Sequence, residues 1–318
     1  MTSEFAIFTI SYARDLDSCR SLCKSIDRLF PNAPHYLMID FWDRRLFREF
    51  KREGRKIIYR DRYLPEFLLV PRGQGRRIFL NPYRTRPVGG WFVQQLAKIA
   101  AVAQMPYKAV VLTDSDVEFV QPITPEIILR DNKTRMLRYE LQKVRHFHLR
   151  WNEISHDLLG ITKETPKNVN YVENIIIWRP EVVRAMIDHL KARHGSWKRA
   201  MLRHNTMSEY YTYGMFVDHV SGPHQDLVFV SDQKLCYSLL YGFEETTEDE
   251  ETFIKNFTGD YVGFGIQSNI GMPWERREKL AQKLHQAYTG KLNDAPHGTQ
   301  DLAAISRQDA GSDKKGIT

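Results

Sequence analysis

VVLTDSDVEFVQP, residues 110–122, sets two carboxylates, Asp114 and Asp116, directly behind a β-branched apolar run and resumes an apolar segment at Val117. A strand alternates faces with a period of two, so an extended triplet presents both carboxylates to one side. Two like charges repel there. A solvated edge tolerates them without help, but at the end of a buried strand they require a cation, hydrogen-bond donors or a shared proton.

The flanking segments place the triplet. FAIFTIS (5–11) reads as a buried strand, residues 15–30 as an amphipathic helix stopped by Pro31, and HYLMID (35–40) as a second strand. A short helix is expected around 43–53, followed by a third strand at KIIYR. Alternating strands and helices predict an α/β fold with a mostly parallel central sheet, in which ligands bind beyond the carboxyl ends of the strands. Between Tyr63 and Gly90 the composition turns to Pro, Gly and Arg, which predicts a long loop with little regular structure. In GWFVQQLAKIAAVAQ, Phe92, Leu96, Ile99 and Ala103 recur at helical spacing. That helix feeds the strand YKAVVLTDSD, so the carboxylate pair falls where a parallel strand ends and a site is expected.

The second half is less regular. RMLRYEL and VRHFHLRW read as extended, and NVNYVENIIIWRP as a strand pair or a strand ending at Pro180. PEVVRAMIDHLKARHG reads as a helix that Pro180 opens and Gly195 stops. TMSEYYTYGMFVDHV reads as a helix entered through Ser208, VGFGIQS as a last strand, and 274–288 as a last helix. EETTEDEE (244–251) reads as a solvated face, and a disordered tail is expected over 291–318.

The chain has 318 residues, 42% hydrophobic and 12% aromatic, enough for a large core. No apolar run approaches the roughly 20 residues of a membrane-crossing helix, and Glu4 stands where a secretory leader would be basic, so a cytoplasmic protein is expected. Cys19, Cys23 and Cys236 read as ordinary reduced thiols, too few for a zinc site. The net charge of +7 favours polyanionic partners, yet no basic block of nucleic-acid type is present. Its densest part, RGQGRR (72–77) followed by Arg84 and Arg86, reads either as a solvated cationic loop or as one that closes over phosphates.

Paired hard oxygen ligands at a strand end suit Mg²⁺ or Mn²⁺, which typically take one or two carboxylates together with substrate phosphate oxygens and water. The phrases GGWFVQQLAKIAA, VVLTDSDVEFVQPI, NYVENIIIWRP, SEYYTYG and GIQSN, in this order over roughly residues 5–288, resemble a DUF-labelled bacterial family of glycosyltransferase-like proteins encoded near polysaccharide-biosynthesis enzymes. That resemblance implies a GT-A fold, a Rossmann-related arrangement over 1–290 with a nucleotide-binding part near 1–122 and an acceptor part near 123–290. It also implies a divalent metal and a nucleotide diphosphate sugar, a UDP-sugar in the first place, as donor to a bacterial glycan or lipid-linked acceptor. A peripheral contact at the inner face of the membrane accompanies such an acceptor. Two departures stand out. Family members tend to carry a histidine in the segment matching NYVENIII, where this chain has Glu173 and Asn174; and where some GT-A enzymes supply a late histidine to the metal, this chain offers Gln267, Ser268 and Asn269.

By the resemblance, Asp116 is the direct metal ligand and Asp114 contacts ribose or a metal-bound water. Gln95 and Lys98, three apart on one helix, are candidates for the nucleotide, or else a solvated stripe. Arg76 and Arg77 are candidates for the diphosphate. Trp91 reads as core. Glu209, next to the Ser208 cap, is either the general base for an acceptor hydroxyl or a carboxylate favoured by the helix N-terminus, and Glu173 is the alternative base. HFH (146–148) sets two imidazoles on one strand face without a third ligand. Rival readings are a nucleotidyltransferase or sugar-phosphate hydrolase on the same carboxylates, and a non-catalytic GT-A-like scaffold in polysaccharide assembly.

Overall fold

The structure is a computed structural model that describes residues 3–71, 77–204, 206–240 and 249–294. Arg76, most of the acidic run and the tail beyond 294 lie outside the described residues. A five-stranded sheet forms the centre, built from β1 (Phe5–Ile10), β2 (His35–Ile39), β3 (Arg55–Tyr59), β4 (Ala109–Asp114) and β5 (Ile175–Trp178). Its spatial order is β5, β4, β1, β2, β3. β4, β1, β2 and β3 run parallel, with Ile10 opposite both Met38 and Asp114, and β5 pairs antiparallel with β4. The sheet is therefore mixed α/β with a mainly parallel core. The carboxyl ends of β1, β2 and β4 and the amino end of β5 share one edge.

Helices cover the sheet because their apolar spacing leaves one face to bury. α1 (Leu16–Leu29) turns Cys19, Leu22, Cys23 and Ile26 inward and ends at Phe30, before Pro31. The two thiols approach to 4.0 Å as free cysteines on that inner face. α2 (Gly90–Val102) buries Phe92, Leu96 and Ile99 as their spacing requires. α3 (His146–Leu159) falls where an extended segment was expected, so HFH occupies the first turn of a helix and no strand. α4 (Pro180–His194) opens on its proline and stops before Gly195, which adopts φ 76°, a left-handed value that suits glycine. α5 (Glu209–His219) is capped by Ser208, whose hydroxyl accepts the Tyr211 N–H at 3.3 Å.

Two further expectations are corrected. The stretch 63–90 contains a hairpin, Leu68–Pro71 against Arg77–Leu80, extended by Val88–Gly89. The helix expected at 43–53 is two 3₁₀ turns, Phe41–Asp43 and Leu46–Phe50. Beyond β4 the chain leaves the central sheet: Val117–Phe119 pairs antiparallel with Gly263–Ile266, which runs parallel to Cys236–Leu239. All of this belongs to one compact unit, Met1–Gly242 with Tyr261–Met272. The second unit, Phe243–Asp260 with Pro273–Thr318, contains the helices Glu250–Asn256 and Trp274–Asp294, linked by Lys283 to Glu250 at 2.6 Å and by Phe257 against Tyr288.

Candidate functional site

A cleft of about 860 Å³ opens over the shared edge of the sheet. Its floor is the ends of β1, β2 and β4, namely Ser11, Tyr12, Asp40 and Asp114–Asp116. Its walls are α2 (Trp91, Gln94, Lys98), the start of α5 (Glu209, Tyr210), Glu173–Asn174 before β5, and Gln267–Ser268. The cleft thus lies beyond the carboxyl ends of the parallel strands, the place where sheets of this class generally bind ligands.

The chain turns at Ser115 and Asp116, yet both carboxylates still line the cleft. Between them Ser115 donates to Asp15 Oδ2 at 3.2 Å. The like-charge problem is solved by two of the means the sequence called for. Lys98 Nζ lies 3.3 Å from Asp114 Oδ1, and Asp116 Oδ2 accepts the Ser268 N–H at 3.1 Å. The same Lys98 donates to Tyr210 Oη at 2.7 Å and pairs with Glu209 Oε1 at 3.1 Å. Burial alone would lower the Lys98 pKa, but Asp114, Tyr210 and Glu209 outweigh it and hold the ammonium charged, well above its usual range. Burial also pushes Glu209 above the ordinary carboxylate range, against the pull of Lys98.

Gln95 is no part of a solvated stripe. It is 2% exposed, and its Oε1 accepts the Glu209 N–H at 3.1 Å, which fixes the start of α5 against α2. Trp91, expected in the core, is 55% exposed on the cleft wall, because Phe92, Leu96 and Ile99 take the inward positions of α2. Trp151 of α3 is the residue of the HFHLRW stretch that reaches this cleft.

Arg77 lies in the cleft wall on a strand, and its guanidinium is already engaged. It donates to Asp40 and, at 2.7 Å, to Asp43 Oδ1, while Arg60 holds the other oxygen of Asp40. A solvated loop cation would be removed at little cost. Arg77→Ala instead leaves two buried carboxylates short of a partner and is expected to lower stability by about 3 kcal/mol. Urea unfolding would show it; a loss of only a few tenths would mean that the pairs are surface-like.

Glu173 lines the cleft and is anchored to the segment before Cys236–Leu239. Its Oε2 accepts the Leu235 N–H at 2.8 Å, and burial pushes its carboxyl up to about 7 against the Leu235 and Cys236 N–H groups and the cations Lys234 and Arg135. Because the folded pKa lies above the usual 4.5, the native state binds this proton more tightly than the unfolded chain. The resulting stability is fully present below the unfolded pKa and is lost as pH rises through about 7, by up to about 3 kcal/mol. Glu173→Gln is expected to remove that fall between about pH 5 and about pH 8 in urea titrations. Parallel pH profiles for the two proteins would place the titration elsewhere.

Whether the floor suits a divalent cation depends on its donors. Among the described residues no group of three or more His, Cys, Asp and Glu side chains converges. The floor supplies two hard carboxylates, with the Asp114 side chain 40% open to solvent. This is the ligand count that Mg²⁺ or Mn²⁺ accepts when substrate phosphates and water complete the shell, so the residues fit. Lys98 already occupies one side of Asp114, so of the two carboxylates Asp116 would be the more direct ligand of such an ion.

The sequence reading missed several cleft residues. Asp40 follows β2 as Asp114 ends β4, so the strand-end rule applied twice would have found it. Tyr12 stands two residues past β1 by the same rule. Tyr210 was inside the SEYYTYG phrase but gave no signal apart from its neighbours.

Residues 7–230, more than half of the chain, match the model of a family described as one of unknown function, DUF6492. No curated protein matches. Among solved structures, the apo crystal structure of mouse xyloside xylosyltransferase 1 aligns with 85% of this chain and 100% of its own, at 13% identity and a TM-score of 0.45.

Proposed function

The chain belongs to DUF6492, a family of unknown function, and we propose that it is a metal-dependent glycosyltransferase using a nucleotide diphosphate sugar. What supports this reading best is the arrangement of Asp114 and Asp116 on the floor of one cleft with the buried Lys98–Glu209 pair beside them. The resemblance of the DSD, GWFVQQLAK and SEYYTYG phrases to glycosyltransferase-like proteins points the same way.

In the proposed reaction an acceptor hydroxyl forms a bond to the anomeric carbon, and the bond from that carbon to the diphosphate oxygen breaks. The electron pair leaves with the nucleotide diphosphate, and the hydroxyl proton passes to Glu209, whose raised pKa suits a general base. Asp116, with Asp114 behind it, would hold Mg²⁺ or Mn²⁺, which when bound supplies Lewis-acid stabilisation of the departing phosphate charge. Lys98 adds a fixed positive charge on the same floor. Exposed Trp91 and the ring of Tyr12 offer flat faces on which a base can stack. The acceptor is a glycan or a lipid-linked glycan.

A thermal-shift screen of nucleoside diphosphates and their sugars, with and without Mn²⁺, tests the reading. A shift that needs both nucleotide and metal supports it. Stabilisation by nucleoside triphosphates or sugar phosphates alone favours a nucleotidyltransferase or hydrolase, and no shift with any of them favours a scaffold.

A further inference from the structure

The segment FWDRRLFREFKR, residues 41–52, follows directly on Asp40 at the cleft floor and has two unlike faces. Its inner face is anchored: Phe47 and Phe50 are buried with Cys19, Cys23, Leu37 and Ile39, and Asp43 is held by Arg77. Its outer face has no need of that core, yet it carries Phe41 at 46% exposure, Trp42 at 69% and Leu46 at 50%. Large apolar side chains left outside in a cluster mark an interaction surface.

The charges around the cluster indicate what covers it. The segment has five cations, Arg44, Arg45, Arg48, Lys51 and Arg52, against the acids Asp43 and Glu49. Asp43 is buried, and Glu49 pairs with Arg20 at 2.8 Å. Arg44 stacks over the Phe41 ring at 4.1 Å, and Arg52 pairs with Asp27. Arg45, Arg48 and Lys51 are exposed and have no carboxylate partner among the described residues. An indole and aliphatic tips ringed by unpaired cations are the chemistry of insertion at the level of anionic headgroups.

We propose that this face docks on a membrane surface rich in anionic lipid, with Trp42 and Leu46 entering the headgroup region and Arg45, Arg48 and Lys51 on the phosphates. The Ala13–Asp15 turn, whose Arg14 lines the cleft, is tied to the inner face of the segment through the Ala13 N–H, which donates to Asp43 Oδ2 at 3.0 Å. Because the segment begins directly after Asp40 of the cleft floor, docking would hold the cleft near the membrane, where a lipid-linked molecule could enter it. The inference stands on surface chemistry alone and does not require the transfer reading to be right.

The test is sedimentation of the full chain with vesicles of phosphatidylcholine alone and with vesicles of which about a third is phosphatidylglycerol. Binding to the anionic vesicles only, weakening as salt screens the charges, is expected. Each cation near such a surface strengthens binding about fivefold, so Arg45→Glu with Arg48→Glu should weaken it about twenty-five-fold or more. Trp42→Ser with Leu46→Ser should weaken it about tenfold or more. Both pairs are exposed, so thermal unfolding should be unchanged. Lys143→Glu with Lys191→Glu, on other exposed surfaces, should leave binding near that of the wild type. No binding to anionic vesicles, a loss as large in the control variant, or concentration-dependent dimerisation through Trp42 without vesicle binding would each overturn the proposal.

Discussion

Asp116→Asn is expected to leave the protein folded while sugar transfer from a nucleotide donor falls by about a thousandfold or more. The substitution hardly changes volume, and the amide oxygen can still accept the Ser268 N–H that Asp116 Oδ2 accepts at 3.1 Å. The join between the end of β4 and residues 267–268 is thereby kept, and only the charged ligand is lost. Asp114→Asn should reduce transfer less, because Lys98 already shares the Asp114 carboxylate at 3.3 Å and a metal would rely on it less directly. Its own signature would be a lower melting temperature, since Lys98 would keep Glu209 as its remaining carboxylate partner. Transfer and Mn²⁺-dependent thermal shift should be read on the same preparations. Wild-type transfer in both variants would sink the assignment of this floor to donor binding; loss of transfer together with collapse of the fold in Asp116→Asn would make the residue structural.

The part of this site that sequence could reveal was the part governed by local rules. A β-branched run ending in two carboxylates, preceded by an amphipathic helix, fixes a strand end on a parallel sheet, and Asp114 and Asp116 are found there. Ser208 as a cap and Gly195 as a stop are decided within a few residues and agree with the structure. What stayed hidden depends on partners far along the chain. α3 buries His148, Asn152 and Ser155 along with Ile154, Leu158 and Leu159, so its inner face is half polar and shows no clean apolar period. Arg77 resembles its neighbours in a basic loop, but Asp40 and Asp43, more than thirty positions earlier, make it a buried partner. Trp91 looks apolar and therefore internal; its place one residue before Phe92 on the helix turns it to the cleft instead.

The final expectation concerns Glu209, for which the sequence left a choice between base and helix terminus. Ser208 already caps α5, and the Glu209 carboxylate reaches Lys98 at 3.1 Å, so a purely terminal role would account for little of the geometry. A carboxylate favoured by the helix dipole contributes about 0.3 to 1 kcal/mol and leaves turnover intact when replaced by Gln. A general base contributes on the order of 10² to 10⁴ in rate, so Glu209→Gln should lower transfer by about that factor with donor and Mn²⁺ affinity retained. The pH profile separates this from a third role, in which Glu209 only fixes Lys98. A base must be deprotonated, so wild-type kcat/KM should rise with pH through the Glu209 pKa, which burial has raised, and the Gln variant should lack that limb. Lys98→Met removes the cation that favours the ionised form, so it should move the limb to higher pH without abolishing it. If Glu209 merely positions Lys98, the two single variants and the double variant should lose the same amount and share one profile. Full transfer in Glu209→Gln would return the residue to the helix terminus, and the acceptor proton would need another acceptor on the cleft floor.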